Sequence, residues 1–415
     1  MNDAAPSPLA LVLSGGGARG AYEVGVLRYV LGELAPRLGP RARPSIFCGT
    51  SVGAINACAI AAHYQQPDFG AQLLGERWKQ LRLDNVFRLG WGDLTGLARW
   101  MMGSGRPGGP RSLLDATPLA ELVRSGIPWR ALHQGVAERA LLGVTVSATD
   151  VETGHTVVFV DSSEQALPAS RDRAIVWTTA RLTAQHALAS AAIPIIFPAV
   201  RVAGRVYTDG SLRQNTPISP ALRLGAGRVL VIGLRTRRQV SRPNTGRQDE
   251  EDQRVYSSPL FLFGKLLDAL LLDRVENDLA NLRLVNAALA ELQRLDPSLL
   301  GHETVAAALE AAGGGLRPVS DLFIRPSQDL GQLAADVLQR PAVRARLSGP
   351  AGYFLRRLGE AAGGGDPSDL LSYLLFESEY EEDLIALGER DARARGAELE
   401  EFLAGAAERP REAAP

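Results

Sequence analysis

The serine in Cys48-Gly49-Thr50-Ser51-Val52-Gly53-Ala54 is the side chain of this sequence with the strongest claim to be a nucleophile. The pattern G-x-S-x-G suits a strand that turns sharply into a helix, because Gly49 and Gly53 remove the side chains that would collide where the two meet. A serine at that turn stands at the positive end of a helix and can attack a carbonyl, provided the charge formed on oxygen is held elsewhere. Gly15-Gly16-Gly17-Ala18-Arg19-Gly20 could hold it, since consecutive glycines let backbone N–H groups turn inward around a phosphate or an oxyanion. The same run satisfies G-x-G-x-x-G, the pyrophosphate loop of dinucleotide-binding folds. That use also needs an acid at the end of the second strand, which here reads Cys48-Gly49-Thr50-Ser51 and has none. A carboxylate arrives much later, at Asp209, where Arg205-Val206-Tyr207-Thr208 runs into Asp209-Gly210-Ser211; alone, Asp-Gly is an ordinary turn signal.

The elements that must carry these residues follow from the apolar pattern. Residues 9–14 are a continuous apolar run of strand length, as in a parallel sheet covered on both faces. After the glycine loop, Val24, Leu27, Val30 and Leu31 recur at helical spacing, and residues 44–48 supply a second strand before the small-residue helix 54–62. Strand, loop, helix and strand make a right-handed βαβ unit, so the glycine loop and Ser51 should meet at the C-terminal edge of the sheet. Further strands are predicted over 140–149, 156–160 as a hairpin partner, 205–211 and 229–234, and the run 321–326 could rejoin the sheet. Helices are predicted over 69–81, from Thr117 as cap with Pro118 in the first turn, over 183–192 up to Pro194, and through most of the chain beyond 259.

Composition limits the function classes. A chain of 415 residues with net charge -1, 46% hydrophobic and 22% charged residues has enough material for a substantial core and no marked polyanion-binding character. Lys79 and Lys265 are the only lysines, and the arginine excess accompanies so much Ala, Gly and Pro that it reads as a compositional bias, not as nucleic-acid contact. Cys48 and Cys58 flank the elbow in small apolar surroundings and read as buried free thiols. The N-terminus shows no signal-peptide pattern, and no apolar run of about 18 residues could span a membrane, so a cytoplasmic location is expected. Two stretches admit contact with lipid. Residues 89–102, with Trp91, Trp100, Met101 and Met102, could dip into lipid, line an acyl pocket or pack as an ordinary core helix. Residues 235–254 mix arginines with Asp249, Glu250, Glu251 and Asp252 and read as a solvated loop, with a headgroup patch as the alternative. Nothing in the pattern specifies an oligomeric state.

Taken in order, the loop 15–20, Gly49-Thr50-Ser51-Val52-Gly53 and Asp209-Gly210 resemble the three signatures of the patatin-like phospholipase family. Ala189-Ser190-Ala191-Ala192-Ile193-Pro194 resembles the family's Ala-Ser-x-x-x-Pro helix end, and Asn215-Thr216-Pro217 its Asn-x-Pro; Ser211 departs from the usual Gly or Ala. The resemblance covers about residues 8–235, and more loosely 321–327. It implies an α/β, three-layer fold with a mostly parallel central sheet flanked by helices, plus C-terminal helices. Resemblance and composition together give a catalytic domain over 8–238, a charged loop or linker over 239–258, a mostly helical region over 259–407 packed on the first with a strand near 321–326, and a disordered tail over 408–415.

The resemblance further implies a lipid acyl hydrolase of phospholipase A or lysophospholipase type, acting on a lipid or phospholipid substrate without cofactor or metal. Ser51 would be the nucleophile and Asp209 its base, with Gly15, Gly16, Gly17 and Ala18 around the oxyanion and Arg19, Gly20, Gly49, Gly53 and Gly210 in support. A carboxylate with a reference pKa near 3.9 serves as such a base only if burial strengthens it and preformed donors hold the developing charge. His63, His133, His155, His186 and His302 would then be bystanders. Two other readings stand beside this one: an α/β-hydrolase-type esterase with a Ser-Asp-His triad completed by His302, and a non-catalytic nucleotide-binding module.

Overall fold

Strands that are apolar at nearly every position have to be covered on both faces, and the centre of the molecule is built from such strands. The computed structural model describes residues 7–89, 114–163, 172–236, 275–295, 317–347, 349–361 and 368–405. Its strands are β1 (Leu9–Leu13), β2 (Ile46–Thr50), β3 (Gly143–Asp150), β4 (Thr156–Ser162), β5 (Ile175–Thr179), β6 (Val200–Val202), β7 (Arg205–Asp209), β8 (Arg228–Ile232) and β9 (Ser320–Ile324). They form one sheet in the order β5-β4-β3-β2-β1-β8-β9, with β7 paired to β3 and to β6. From β3 through β9 along that order neighbours are parallel, whereas β4 and β7 both run antiparallel to β3.

Alternation along β1 sorts its side chains between two cores. Leu9, Leu11 and Leu13 face a large cluster that includes Tyr22, Leu27, Phe47 and Ala57, whereas Ala10 and Val12 face a smaller one with Ile218, Val229 and Val231. The first face is covered by α1 (Gly20–Tyr29), α2 (Val52–Ala61) and α3 (Pro67–Lys79). Two more helices, α4 (Thr117–Gly126) and α5 (Ala184–Ser190), border the same side. On the second face lies α6 (Val275–Leu295), through Val275, Leu279 and Leu282. The chain ends in α7 (Ser368–Leu374), α8 (Ser378–Ala394) and α9 (Gly396–Ala404). Helix α8 crosses α1 so closely that a Cβ on Gly25 would lie 2.1 Å from the Ile385 carbonyl oxygen, and one on Gly388 2.2 Å from that of Tyr22. Arg28 with Glu389 (3.1 Å) and Tyr22 with Asp391 (3.0 Å) fasten the rims of that crossing.

Two local expectations are corrected. Strand β2 continues past Cys48 to Thr50, because Gly49 pairs with Leu13 of β1 and Thr50 with Ser147 of β3. Thr117 does not cap α4 but begins it; the Asp115 carboxylate accepts from the Thr117 N–H (2.9 Å) and hydroxyl (2.6 Å), a stronger acceptor ahead of a helix than a threonine oxygen. Trp91, Trp100, Met101 and Met102, the charged stretch 239–258, the start of the helical region over 259–274, His302 and the tail 408–415 lie outside the described residues. Among the described residues no helix is long and apolar enough to cross a membrane.

Candidate active site

Strand β2 delivers its chain into α2 through a turn with no spare room. A Cβ on Gly49 would lie 2.3 Å from the Gly53 carbonyl oxygen, and one on Gly53 2.5 Å from that of Leu13. Between them Ser51 takes φ 56° and ψ -128°, a conformation L-residues rarely adopt, which costs on the order of 1–3 kcal/mol and persists only where the surroundings enforce it. Enforcement comes from Ser190 at the end of α5: its hydroxyl accepts the Ser51 N–H (2.7 Å) and donates to the Ser147 carbonyl on β3 (2.5 Å).

Strand β7, added antiparallel to the end of β3, carries Asp209 to the same place. The Ser51 hydroxyl donates to Asp209 Oδ2 (2.8 Å), and the Ser211 N–H donates to Oδ1 (2.7 Å). Backbone ties fix the acid: its N–H donates to the Ala192 carbonyl (2.9 Å) and its carbonyl accepts from the Thr149 hydroxyl (2.9 Å). Gly210 follows with no space for a Cβ, 2.2 Å from the Ser147 carbonyl oxygen. Complete burial pushes the Asp209 carboxyl up to about 6, against the opposing pull of hydrogen bonds from Ser211 and Ser51.

The glycine loop closes over this pair. Gly15 N–H donates to the Asn215 carbonyl (3.2 Å), and a Cβ on Gly15 would lie 3.1 Å from that of Ser51 and 2.2 Å from the Ser211 hydroxyl. At the other end Arg19 N–H donates to the Gly16 carbonyl (3.2 Å), opening a helical turn over Gly17–Arg19 whose first N–H groups have no intrahelical acceptor. Gly17 combines φ +57° with a Tyr373 carbonyl oxygen that would be 2.2 Å from any Cβ, so both its conformation and its space exclude a side chain. Gly16 abuts Leu234, and Gly20 abuts Val52. The buried Arg19 turns away from the hydroxyl: its Nε donates to the Ser372 hydroxyl (2.7 Å), and its guanidinium lies 4.3 Å over the Tyr373 ring.

From Gly17 and Ser51 a cavity of about 400 Å³ runs between α3 and α4, walled by Trp78, Val123, Phe197 and Phe376 and rimmed by Arg77, Gln80 and Asn85. Trp78 is held by its N–H on Asn56 (3.0 Å), and Phe87 meets Phe197 and Phe376 edge to face. Of the histidines, His133 pairs with Asp161 (2.9 Å), His186 caps α5 with Thr183 (2.9 Å) and His63 bonds the Ala59 carbonyl (2.8 Å). Cys48 and Cys58 are buried free thiols, and burial pushes Cys48 up to about 12 and Cys58 higher than an ordinary thiol. Among the described residues no group of three His, Cys, Asp or Glu side chains could hold a metal ion.

The structure thus gathers Ser51, Asp209 and the loop 15–18 at one edge of the sheet, with Gly20, Gly49, Gly53 and Gly210 packed too closely for a Cβ and Arg19 bonded to Ser372. Sequence reasoning missed Ser190 as the brace of the elbow, although the Ala-Ser-x-x-x-Pro stretch contained it, and missed Ser372, Tyr373 and Phe376 altogether.

A family model described as patatin-like phospholipase matches residues 11–222. Comparison with curated proteins found no match. Among solved structures, VipD from Legionella pneumophila is similar at 12% identity and a TM-score of 0.33, over 92% of this chain and 67% of that one. Full-length ExoU of the type III secretion system of Pseudomonas aeruginosa, in complex with SpcU, is similar at 16% identity and a TM-score of 0.25, over 94% and 78%.

Proposed function

The chain belongs to the patatin-like phospholipase family, and from that premise we propose that it hydrolyses carboxylic esters of lipids, as a phospholipase A or lysophospholipase, through Ser51 and Asp209. The observation that carries this reading is the 2.8 Å hydrogen bond from a serine in a strained strand-to-helix turn to a fully buried carboxylate.

In the first half-reaction Ser51 Oγ bonds to the ester carbonyl carbon while its proton passes to Asp209 Oδ2. The carbonyl electron pair moves to oxygen, where the amides of Gly16, Gly17 and Ala18, with Gly15 completing the loop, receive it; one such donor is worth about 3 kcal/mol of barrier. Collapse breaks the bond to the alcohol, which takes the proton from Asp209 and leaves an acyl-Ser51. Water, giving its proton to Asp209, then attacks the acyl carbon; the bond from Ser51 Oγ to that carbon breaks, Ser51 takes the proton back from Asp209, and the fatty acid leaves. A carboxyl near 6 is ionised at neutral pH yet a stronger base than an exposed aspartate, which this cycle requires at each transfer. The apolar cavity beside Ser51 gives the acyl chain a place to lie during both halves. With its basicity raised by burial, Asp209 carries each of these proton transfers itself.

The test compares the native protein with Ser51→Ala, Asp209→Ala and His302→Ala, using a fluorophosphonate label and release of fatty acid from phosphatidylcholine and lysophosphatidylcholine. Label and release should vanish in the first variant, fall at least a hundredfold in the second and persist in the third. Labelling that survives Ser51→Ala, or release that depends on His302, would overturn the assignment.

A further inference from the structure

The family model ends at residue 222, yet the far side of the glycine loop is gripped by residues 372 and 373. Four contacts converge there. The Tyr373 carbonyl oxygen occupies the space beside Gly17 that any side chain would need. The Tyr373 ring lies under the Arg19 guanidinium at 4.3 Å, and the Ser372 hydroxyl accepts from Arg19 Nε at 2.7 Å. Tyr373 also lines the cavity that contains Ser51 and Gly17. Behind this pair stands Tyr380 of α8, fully buried, with its hydroxyl donating to the Leu330 carbonyl (3.0 Å).

A run of three glycines has the freest backbone a chain can offer, and amides that must find their direction during the reaction stabilise an oxyanion poorly. The Asn215 carbonyl fixes the loop at Gly15. Between Gly17 and Arg19 the corresponding hold comes from α7. We propose that Ser372 and Tyr373 are positioning residues for the anion-binding loop, keeping the amides of Gly16, Gly17 and Ala18 aimed before substrate arrives; this rests on the Ser51–Asp209 reading. Both residues grip Arg19 and Gly17, so on a substrate too short to reach the cavity wall their effect passes through those two.

Ser372→Ala and Tyr373→Leu are the informative variants, with Ser372→Thr and Tyr373→Phe as conservative partners that keep the hydroxyl and the ring. Rates are measured on a short-chain ester, which minimises any contribution from the cavity wall, and divided by the number of sites that a fluorophosphonate titrates to completion. A misfolded fraction then lowers the titre without altering the rate per site. The expected result is a kcat per site about tenfold lower in Ser372→Ala and Tyr373→Leu, with KM within about twofold and near-native rates in the conservative pair. Unchanged kcat per site in both truncations, or a loss confined to KM, overturns the proposal while leaving the hydrolase reading in place. A native protein that neither labels at Ser51 nor turns over would remove the hydrolase reading itself, and this inference with it.

Discussion

Burial raises the Asp209 carboxyl to about 6 while the hydrogen bonds from Ser211 and Ser51 pull it down, so the ionised form needed at neutral pH is held in the fold against its desolvation. Activity should therefore climb along an acid limb with an apparent pKa near 6 and level off above it, measured as kcat/KM across pH 4.5–8. A limb centred near 4 would mean that the carboxylate is solvated in the working enzyme. Stability runs the other way. Because the folded value lies above the ordinary aspartate value of 3.8, the folded state binds the extra proton, and that contribution is complete at low pH and lost as pH rises through about 6. The difference between 3.8 and about 6 corresponds to roughly 3 kcal/mol, an upper figure for one buried group. Asp209→Asn keeps an oxygen for the Ser211 N–H and presents an amide to Ser51 Oγ, so it should abolish turnover and yet raise the melting temperature at pH 7.5. The gain should fade by pH 4, where the native carboxyl is itself protonated; equal melting temperatures at both pH values would show that the buried charge costs nothing.

At the scale of elements, the strained turn at Ser51 depends on a brace from another helix. Ser190→Ala leaves the Ser51 N–H buried without its acceptor and frees the Ser147 carbonyl on β3, a loss of about 1–3 kcal/mol in a denaturant titration. Because the turn would relax from φ 56°, kcat should fall more than the modest loss of stability explains, whereas a native kcat would show that β2 and α2 hold the elbow unaided. What could be read from sequence here is the part that is local. Glycine spacing marks a strand-to-helix turn because the clash of Gly49 with Gly53 lies within a few residues, and alternating or continuous apolar runs mark strands whatever they later pair with. The strand that continues to Thr50 was not readable, because its last pairs are made with β1 and β3. Nor was the hold of Ser372 and Tyr373 on the glycine loop, since a Ser-Tyr dipeptide in a helix carries no pattern and gains its meaning only when α8 docks against α1 at Gly25 and Gly388.

Across the whole molecule, distant segments are tied to one sheet and together make its cavity. Arg228 at the start of β8 donates to carbonyls of Ser7, Arg41, Phe402 and Leu403, so one buried guanidinium joins the first strand's approach to the last carbonyls of α9. On the opposite side the cavity wall is shared among α3 through Trp78, the segment after α5 through Phe197, and the turn after α7 through Phe376. Phe376 stacks on Trp78 at 6.4 Å and meets Phe87 edge to face, so it closes the cavity from a part of the chain beyond the family-matched span. If the acyl chain lies in that space, Phe376→Ala lengthens or widens it, and substrate preference should move toward longer or bulkier chains. Each additional buried methylene is worth about 0.8 kcal/mol, close to fourfold in kcat/KM, so a series of esters from four to sixteen carbons should show the optimum displaced. The same truncation should lower stability by about 3–5 kcal/mol in so far as the aromatic cluster cannot collapse into the gap. A lower stability with an unmoved optimum would place the acyl chain outside this cavity, because an emptied wall that the chain never touches cannot alter which chain is preferred.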